Sequence, residues 1–175
     1  MLKDFIEEMF GFKRTKMYTE EPTYEQKIAH LKRVKQRLEK DEFRDFEFKT
    51  THKGEPVLFF KSFPPYDVVA ILFIMVINQY GPKRHQINLI FWDDYVEIAD
   101  VQVLGEENFN KGYGSLLIQE AIKFSATLGY KRIYGRIVSE DESHYKRQKA
   151  FYEKNGFILL ENGIEFEMLL STQME

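Results

Sequence analysis

Residues 110–115, Asn-Lys-Gly-Tyr-Gly-Ser, and residues 151–157, Phe-Tyr-Glu-Lys-Asn-Gly-Phe, are the two segments of this 175-residue chain whose residue types and spacing suit chemistry. The first is built to hold an anion. Gly112 and Gly114 let backbone N–H groups crowd toward a phosphate with no Cβ in the way, and Lys111 adds a cation. The helix-like run that starts at Gly114 brings further unpaired N–H groups and a positive dipole end. The second segment offers a phenol. Tyr152 lies forty residues after Gly112, and with an ordinary pKa of about 10 it keeps a proton at neutral pH that it can hand to a departing anion. Each segment alone also has a plainer reading, as a strand-to-helix turn and as an aromatic pair packed at a helix end.

The elements that must position these segments are legible in the periodicity. Leu2, Phe5, Ile6 and Met9 recur at helical spacing and predict a short helix over 2–10. Thr23 and Gln26 form a capping-box pattern ahead of Ile28, Leu31, Val34 and Leu38, which predicts a second helix running to about Lys40. Its other face carries Lys27, Lys32, Arg33, Lys35, Arg37 and Lys40. That face is either a patch for nucleic acid or an acidic partner, or an ordinary solvated surface. From Glu42 the period changes to two, with strands expected over 43–50, 56–61, 68–78, 86–92 and 96–104, mainly antiparallel. The continuous apolar run 68–77 hides its period and reads as a strand or a buried helix, with strand favoured. A helix over 114–128 ending at Gly129, a strand at 132–138, a helix over 145–155 and a hairpin about Asn162-Gly163 complete the chain. That order implies a mixed sheet with one parallel pair around a crossover helix, and a ligand beyond the strand ends where the glycine turn lies.

Composition narrows the function classes. At 43% hydrophobic and 30% charged, with no Pro/Gly/Ser-rich linker, one α/β domain is expected over 1–175, with helices in 1–40, strands in 42–104 and the ligand-binding half in 105–170. A net charge of -3 argues against binding nucleic acid through the whole surface. Cys 0 removes disulfides, thiolate metal sites and a cysteine nucleophile, and suits a reducing compartment, so a cytoplasmic protein is expected. The first residues lack the basic-then-apolar order of a secretory signal, and the longest apolar run is half of what a membrane span needs. His30, His52, His85 and His144 show no ligand spacing, so no metal is expected, and each reads as a surface or turn residue.

Taken together, the two chemical segments resemble the GNAT superfamily of acetyl-CoA-dependent N-acetyltransferases. The resemblance covers 96–169; Gly112 and Gly114 fit the family's motif, whose leading basic or amide position is Phe109 here, and residues 150–157 match its aromatic-Tyr, charged-pair, Gly-Phe signature. It implies a GNAT-type acyl-CoA N-acyltransferase fold with a mixed central sheet flanked by helices. It also implies acetyl-CoA as cosubstrate and a small-molecule or peptide amine as acceptor. By the same resemblance the amides of Lys111, Gly112, Tyr113, Gly114 and Ser115 cradle the CoA pyrophosphate. The backbone of Val101, Gln102 and Val103 pairs with pantetheine, and Tyr152 is the general acid. The family often places an Asn seven residues before that Tyr, where this chain has Tyr145. For the base, a carboxylate on the preceding strand, Glu97 matches best; Asp100 and solvent remain open. Strict alternation puts Glu97 on the face of Ala99, Val101 and Val103, with Asp100 on the other. A different reading keeps the fold and makes the chain a silent acyl-CoA-binding or partner-binding module. The terminal hairpin and the apolar strand each offer a surface for a homodimer.

Overall fold

The computed structural model describes residues 16–39, 45–63, 68–139 and 141–170. The helix expected over 2–10 lies outside them. Helix α1 (Tyr24–Leu38) starts where the capping box places it. The Gln26 N–H donates to Thr23 Oγ1 at 3.3 Å, and the Thr23 N–H donates to Gln26 Oε1 at 2.8 Å, so two otherwise orphaned donors are satisfied reciprocally.

Among the described residues eight strands form one sheet: β1 (Glu47–Thr50), β2 (Pro56–Ser62), β3 (Val69–Asn78), β4 (Gly81–Phe91), β5 (Val96–Gln102), β6 (Arg132–Arg136), β7 (Ile158–Leu159) and β8 (Glu165–Leu169). Their order is β1-β2-β3-β4-β5-β6-β8-β7. All neighbours are antiparallel except β5 and β6, which run parallel around the crossover helix α2 (Tyr113–Thr127). Helix α3 (Glu142–Lys154) follows β6 and is capped by Asp141, whose side chain accepts from the His144 N–H at 2.8 Å. This start is three residues earlier than the apolar pattern suggests, because a cap, not a hydrophobic stripe, sets it. Likewise β4 begins at Gly81 rather than Gln86: a tight turn at Gln79 and Tyr80, closed by the Tyr80 N–H on Asn78 Oδ1 at 2.9 Å, lets pairing resume at once. Among the described residues no helix is long and apolar enough to cross a membrane.

The run 68–77 has no visible period because β3 is buried on both faces. Leu72, Ile74 and Val76 pack in one cluster with Leu117, Ile118 and Ala121 of α2. Ile77, with Leu58 of β2, packs in a second cluster with Leu31 and Val34 of α1. The two helices therefore cover opposite faces of the sheet, and a strand sandwiched this way is apolar at every position.

The charged face of α1 is not uniformly solvated. Lys27 is only 4% exposed, and its ammonium sits between Glu21 at 2.9 Å and Glu55 at 2.8 Å. Burial opposes that charge, yet hydrogen bonds and the fields of Glu55 and Glu21 hold its pKa above the ordinary lysine value. Glu21 also takes Lys111 at 3.0 Å, which ties the segment before α1 to the glycine turn.

Candidate functional site

The site begins as a fault in the sheet. On the β4 side of β5, Ile98 pairs with Leu89 and Asp100 with Asn88, so Ala99 is an extra residue, a β-bulge. On the other side, pairing with β6 stops at Ile98 and Gly135. Beyond the bulge β5 leaves β6, and the edge of residues 99–102 that faces β6 has no strand partner among the described residues. The gap opens into a cleft of about 780 Å³ walled by β5, the N-terminus of α2 and one face of α3.

The glycine turn forms the floor of this cleft. Asn110 (φ 59) and Gly112 (φ 84) take left-handed conformations, and the Thr51 hydroxyl donates to the Lys111 carbonyl at 2.8 Å to hold them. A Cβ on Gly112 would lie 2.9 Å from the His52 ring, and one on Gly114 would lie 3.0 Å from the Phe151 ring. Neither position has room for a side chain, so the two glycines are what let His52 and Phe151 pack directly against the turn. Helix α2 starts at Tyr113, so the N–H groups of Tyr113, Gly114 and Ser115 have no intrahelical acceptor; the Leu116 N–H is the first to pair back, to the Gly112 carbonyl at 3.0 Å.

The walls are cationic. Lys53, Arg136, Arg147 and Lys154 line the cleft, Arg136 paired with Glu165 at 2.8 Å, against the single carboxylate of Asp100 among the described residues. Such a balance favours an elongated anion. The basic residues of α3 escape the motif analysis, although a signal exists: 144, 147, 148, 151 and 154 follow helical i, i+3, i+4 spacing and share a face with Phe151. Lys111, the cation expected to meet phosphate, is instead turned to Glu21 and does not line the cleft.

Tyr152 lies on the cleft wall, 8% exposed, its ring stacked on Phe166 with centroids 3.7 Å apart. No described residue hydrogen-bonds its hydroxyl. Burial first, and then the nearby Asp100 charge, push its pKa well above the usual phenol value, so it stays protonated throughout the physiological range.

The bulge corrects the face assignment of the strand carboxylates. Val101 pairs with Ile87, and Ile98 with Leu89, so these apolar residues stay on the α2 face. Glu97 and Asp100 then share the opposite face, one on each side of the extra Ala99. Glu97 does not line the cleft; its carboxylate accepts from the Trp92 indole at 2.8 Å. Asp100 does line it, with Gln102 donating to its carboxylate at 2.5 Å. Val101, Val103, Gly112, Tyr113, Gly114, Ser115 and Tyr152 line one cleft, while Gln102, Lys111 and Glu97 stand outside the lining.

Behind the turn sits His85, which is fully buried against the Tyr113 ring rather than on the surface. Its Nδ1 accepts from the Leu104 N–H at 3.1 Å, so Nε2 carries the proton, with no partner among the described residues. Burial pushes its pKa from the usual 6.5 down to about 4. The unfolded chain therefore binds a proton below pH 6.5 that the folded one refuses until about pH 4. Stability contributed by neutral His85 is intact above pH 6.5 and falls between pH 6.5 and 4, by about 3 kcal/mol at about 1.36 kcal/mol per pH unit. Urea unfolding at pH 7 and pH 4.5 checks this: the wild type is expected to lose more stability than His85→Gln, and equal losses would place the acid sensitivity elsewhere.

No family model and no curated protein matches the sequence. Among solved structures, a cAMP-binding acyltransferase from Mycobacterium smegmatis superposes with a TM-score of 0.53 at 12% identity, over 81% of this chain and 51% of the other, so this chain spans about half its length. An acetyltransferase of the GNAT family from Staphylococcus aureus gives 0.47 at 18% identity over 58% and 68% of the two chains. PaiA N-acetyltransferase from Thermoplasma acidophilum, in complex with coenzyme A, gives 0.44 at 22% identity over 57% and 60%. The likeness is one of fold alone, a large mixed sheet flanked by helices.

Proposed function

We propose that this chain transfers an acetyl group from acetyl-CoA directly to a primary amine, both held in one ternary complex. The observation that carries the reading is the opened edge of β5. It runs from the Ala99 bulge to an amide-rich helix N-terminus, under a cationic wall, with Tyr152 and Asp100 close enough to interact electrostatically. The residues present fit acetyl-CoA: the unpaired N–H groups of Tyr113, Gly114 and Ser115 at the helix N-terminus suit a pyrophosphate, and the β5 edge at Val101 and Gln102, unpaired on its β6 side and continued by Val103, suits the two amides of pantetheine.

When bound, acetyl-CoA supplies an acyl group activated by a thiolate leaving group. Asp100, rather than Glu97, takes the proton from the acceptor ammonium, directly or through water, because it is the carboxylate on the cleft wall. The amine nitrogen then bonds to the acyl carbon as the C–S bond breaks. Backbone N–H groups of the splayed strand face the carbonyl oxygen, the Tyr152 hydroxyl gives its proton to the sulfur, and the proton that the acylated nitrogen sheds returns through solvent to the phenolate. The products are an amide and the free thiol of CoA.

Thermal unfolding with acetyl-CoA and with CoA tests the reading. A ligand that binds only the folded chain is expected to stabilise it by about 2.7 kcal/mol at about 100 times its dissociation constant. No shift at millimolar CoA would overturn the proposal. A shift without turnover on any member of an amine panel would leave a binding module in its place.

A further inference from the structure

Phe109 occupies the position before the glycine turn where the resembled motif carries a basic or amide side chain. Its ring is 44% exposed and lines the cleft. From the opposite wall, α3 lays the Arg147 guanidinium over that ring at 6.0 Å from the centroid. Arg147 has no carboxylate partner among the described residues, whereas Glu142 and Glu153 of the same helix are engaged by Lys146 and Lys149. An uncommitted guanidinium thus lines the same cleft as the unpaired N–H groups of Tyr113, Gly114 and Ser115, with five donors in the fork geometry that phosphate oxygens accept. Its resting place on an aromatic face holds it there without neutralising it. Lys154 is less well placed for the same anion, since seven residues along a helix is about 10 Å.

We propose that Arg147 supplies, from α3, the cation missing at Phe109, and that it clamps the pyrophosphate of the cosubstrate with the Phe109 ring as its positioning platform. The proposal rests on the acetyl-CoA reading above. Positive charge has moved from the turn to the facing helix, and the exposed aromatic at the turn is the part that keeps the distant arginine in register. Lys111 is free in consequence to serve the ion-pair chain through Glu21 to Lys27.

Calorimetric titration of the full chain separates the possibilities. CoA, dephospho-CoA and S-acetylpantetheine serve as ligands, with Arg147→Gln, Phe109→Ala and the double variant beside the wild type. Loss of charged hydrogen bonds is expected to weaken CoA and dephospho-CoA alike by about 10- to 100-fold in Arg147→Gln, and to leave S-acetylpantetheine unchanged. Phe109→Ala is expected to show a smaller loss, with no further loss added to Arg147→Gln in the double variant. Three results overturn the proposal: wild-type CoA affinity in Arg147→Gln, an equal loss for S-acetylpantetheine, or a loss confined to CoA, which would assign Arg147 to the 3′-phosphate. Additive losses from the two sites would remove Phe109 as the platform. A wild-type chain that binds none of the three ligands brings down the acetyl-CoA reading itself, whereas one that binds CoA and ignores Arg147→Gln brings down this inference alone.

Discussion

Tyr152→Phe is expected to slow acetyl transfer by about 10²- to 10⁴-fold while the KM for acetyl-CoA stays near the wild-type value. The substitution removes one oxygen and little else. The ring remains, so the stack on Phe166 and the edge contacts with Phe151 and Phe157 persist and folding stability changes little. No described residue loses a hydrogen bond, because none uses that hydroxyl. The proton donor is what disappears. Burial and the Asp100 charge raise the phenol's pKa, so in the wild type Tyr152 stays protonated as pH climbs and imposes no loss of rate between pH 7 and 9. Steady-state kinetics on a working acceptor checks both points. A Tyr152→Phe variant with full turnover would take Tyr152 out of the acid role.

Gly112→Val is the second large effect. The residue sits at φ 84, where a side chain is strained, and its new Cβ would meet the His52 ring at 2.9 Å and the Thr51 Cβ at 3.1 Å. Thr51 cannot yield cheaply, since its hydroxyl is the clamp on the Lys111 carbonyl. The turn must therefore shift, and the amides of residues 112–115 lose their common aim. Strain of this kind costs on the order of 1–3 kcal/mol in stability. The stabilisation by acetyl-CoA is expected to vanish at ligand concentrations that saturate the wild type. Gly129→Ala is the control: it carries the same backbone strain at φ 86, but nothing lies within 4 Å of its Cβ, and it ends α2 far from the turn. It is expected to lose stability and keep the ligand response. If Gly112→Val also keeps that response, the glycine turn is not the phosphate cradle.

Much of the fold is readable where local interactions decide. Thr23 and Gln26 start α1 with their own side chains and backbone, and Gly129 stops α2 because few other residues accept its φ of 86. Neither needs a distant partner. The glycine turn and the Tyr152 segment are of the same kind, contiguous stretches whose backbone and side-chain needs show in a few letters. Strand pairing is different. Asn78 and Gly81 close a hairpin that the Gly-Pro pair at 81–82 only marks as a break, since the turn depends on which strand β4 can reach.

The sequence by itself therefore determined the capped start of α1, the mixed α/β order, the glycine turn at 112–114 and the place of the Tyr152 phenol. Only the tertiary structure decided which charges meet them. The bulge at Ala99 exists because β5 must pair with β4 and part from β6, and that one extra residue carries Asp100 onto the face of Glu97. Lys27 and His85 are buried because the elements packed over them leave no water there, a fact no period in their own segments records. Arg147 reaches Phe109 across thirty-eight positions of chain because α3 folds back beside the turn. Alternation and helical spacing describe a segment alone, whereas a cleft is made by the distances between segments, and those follow from packing.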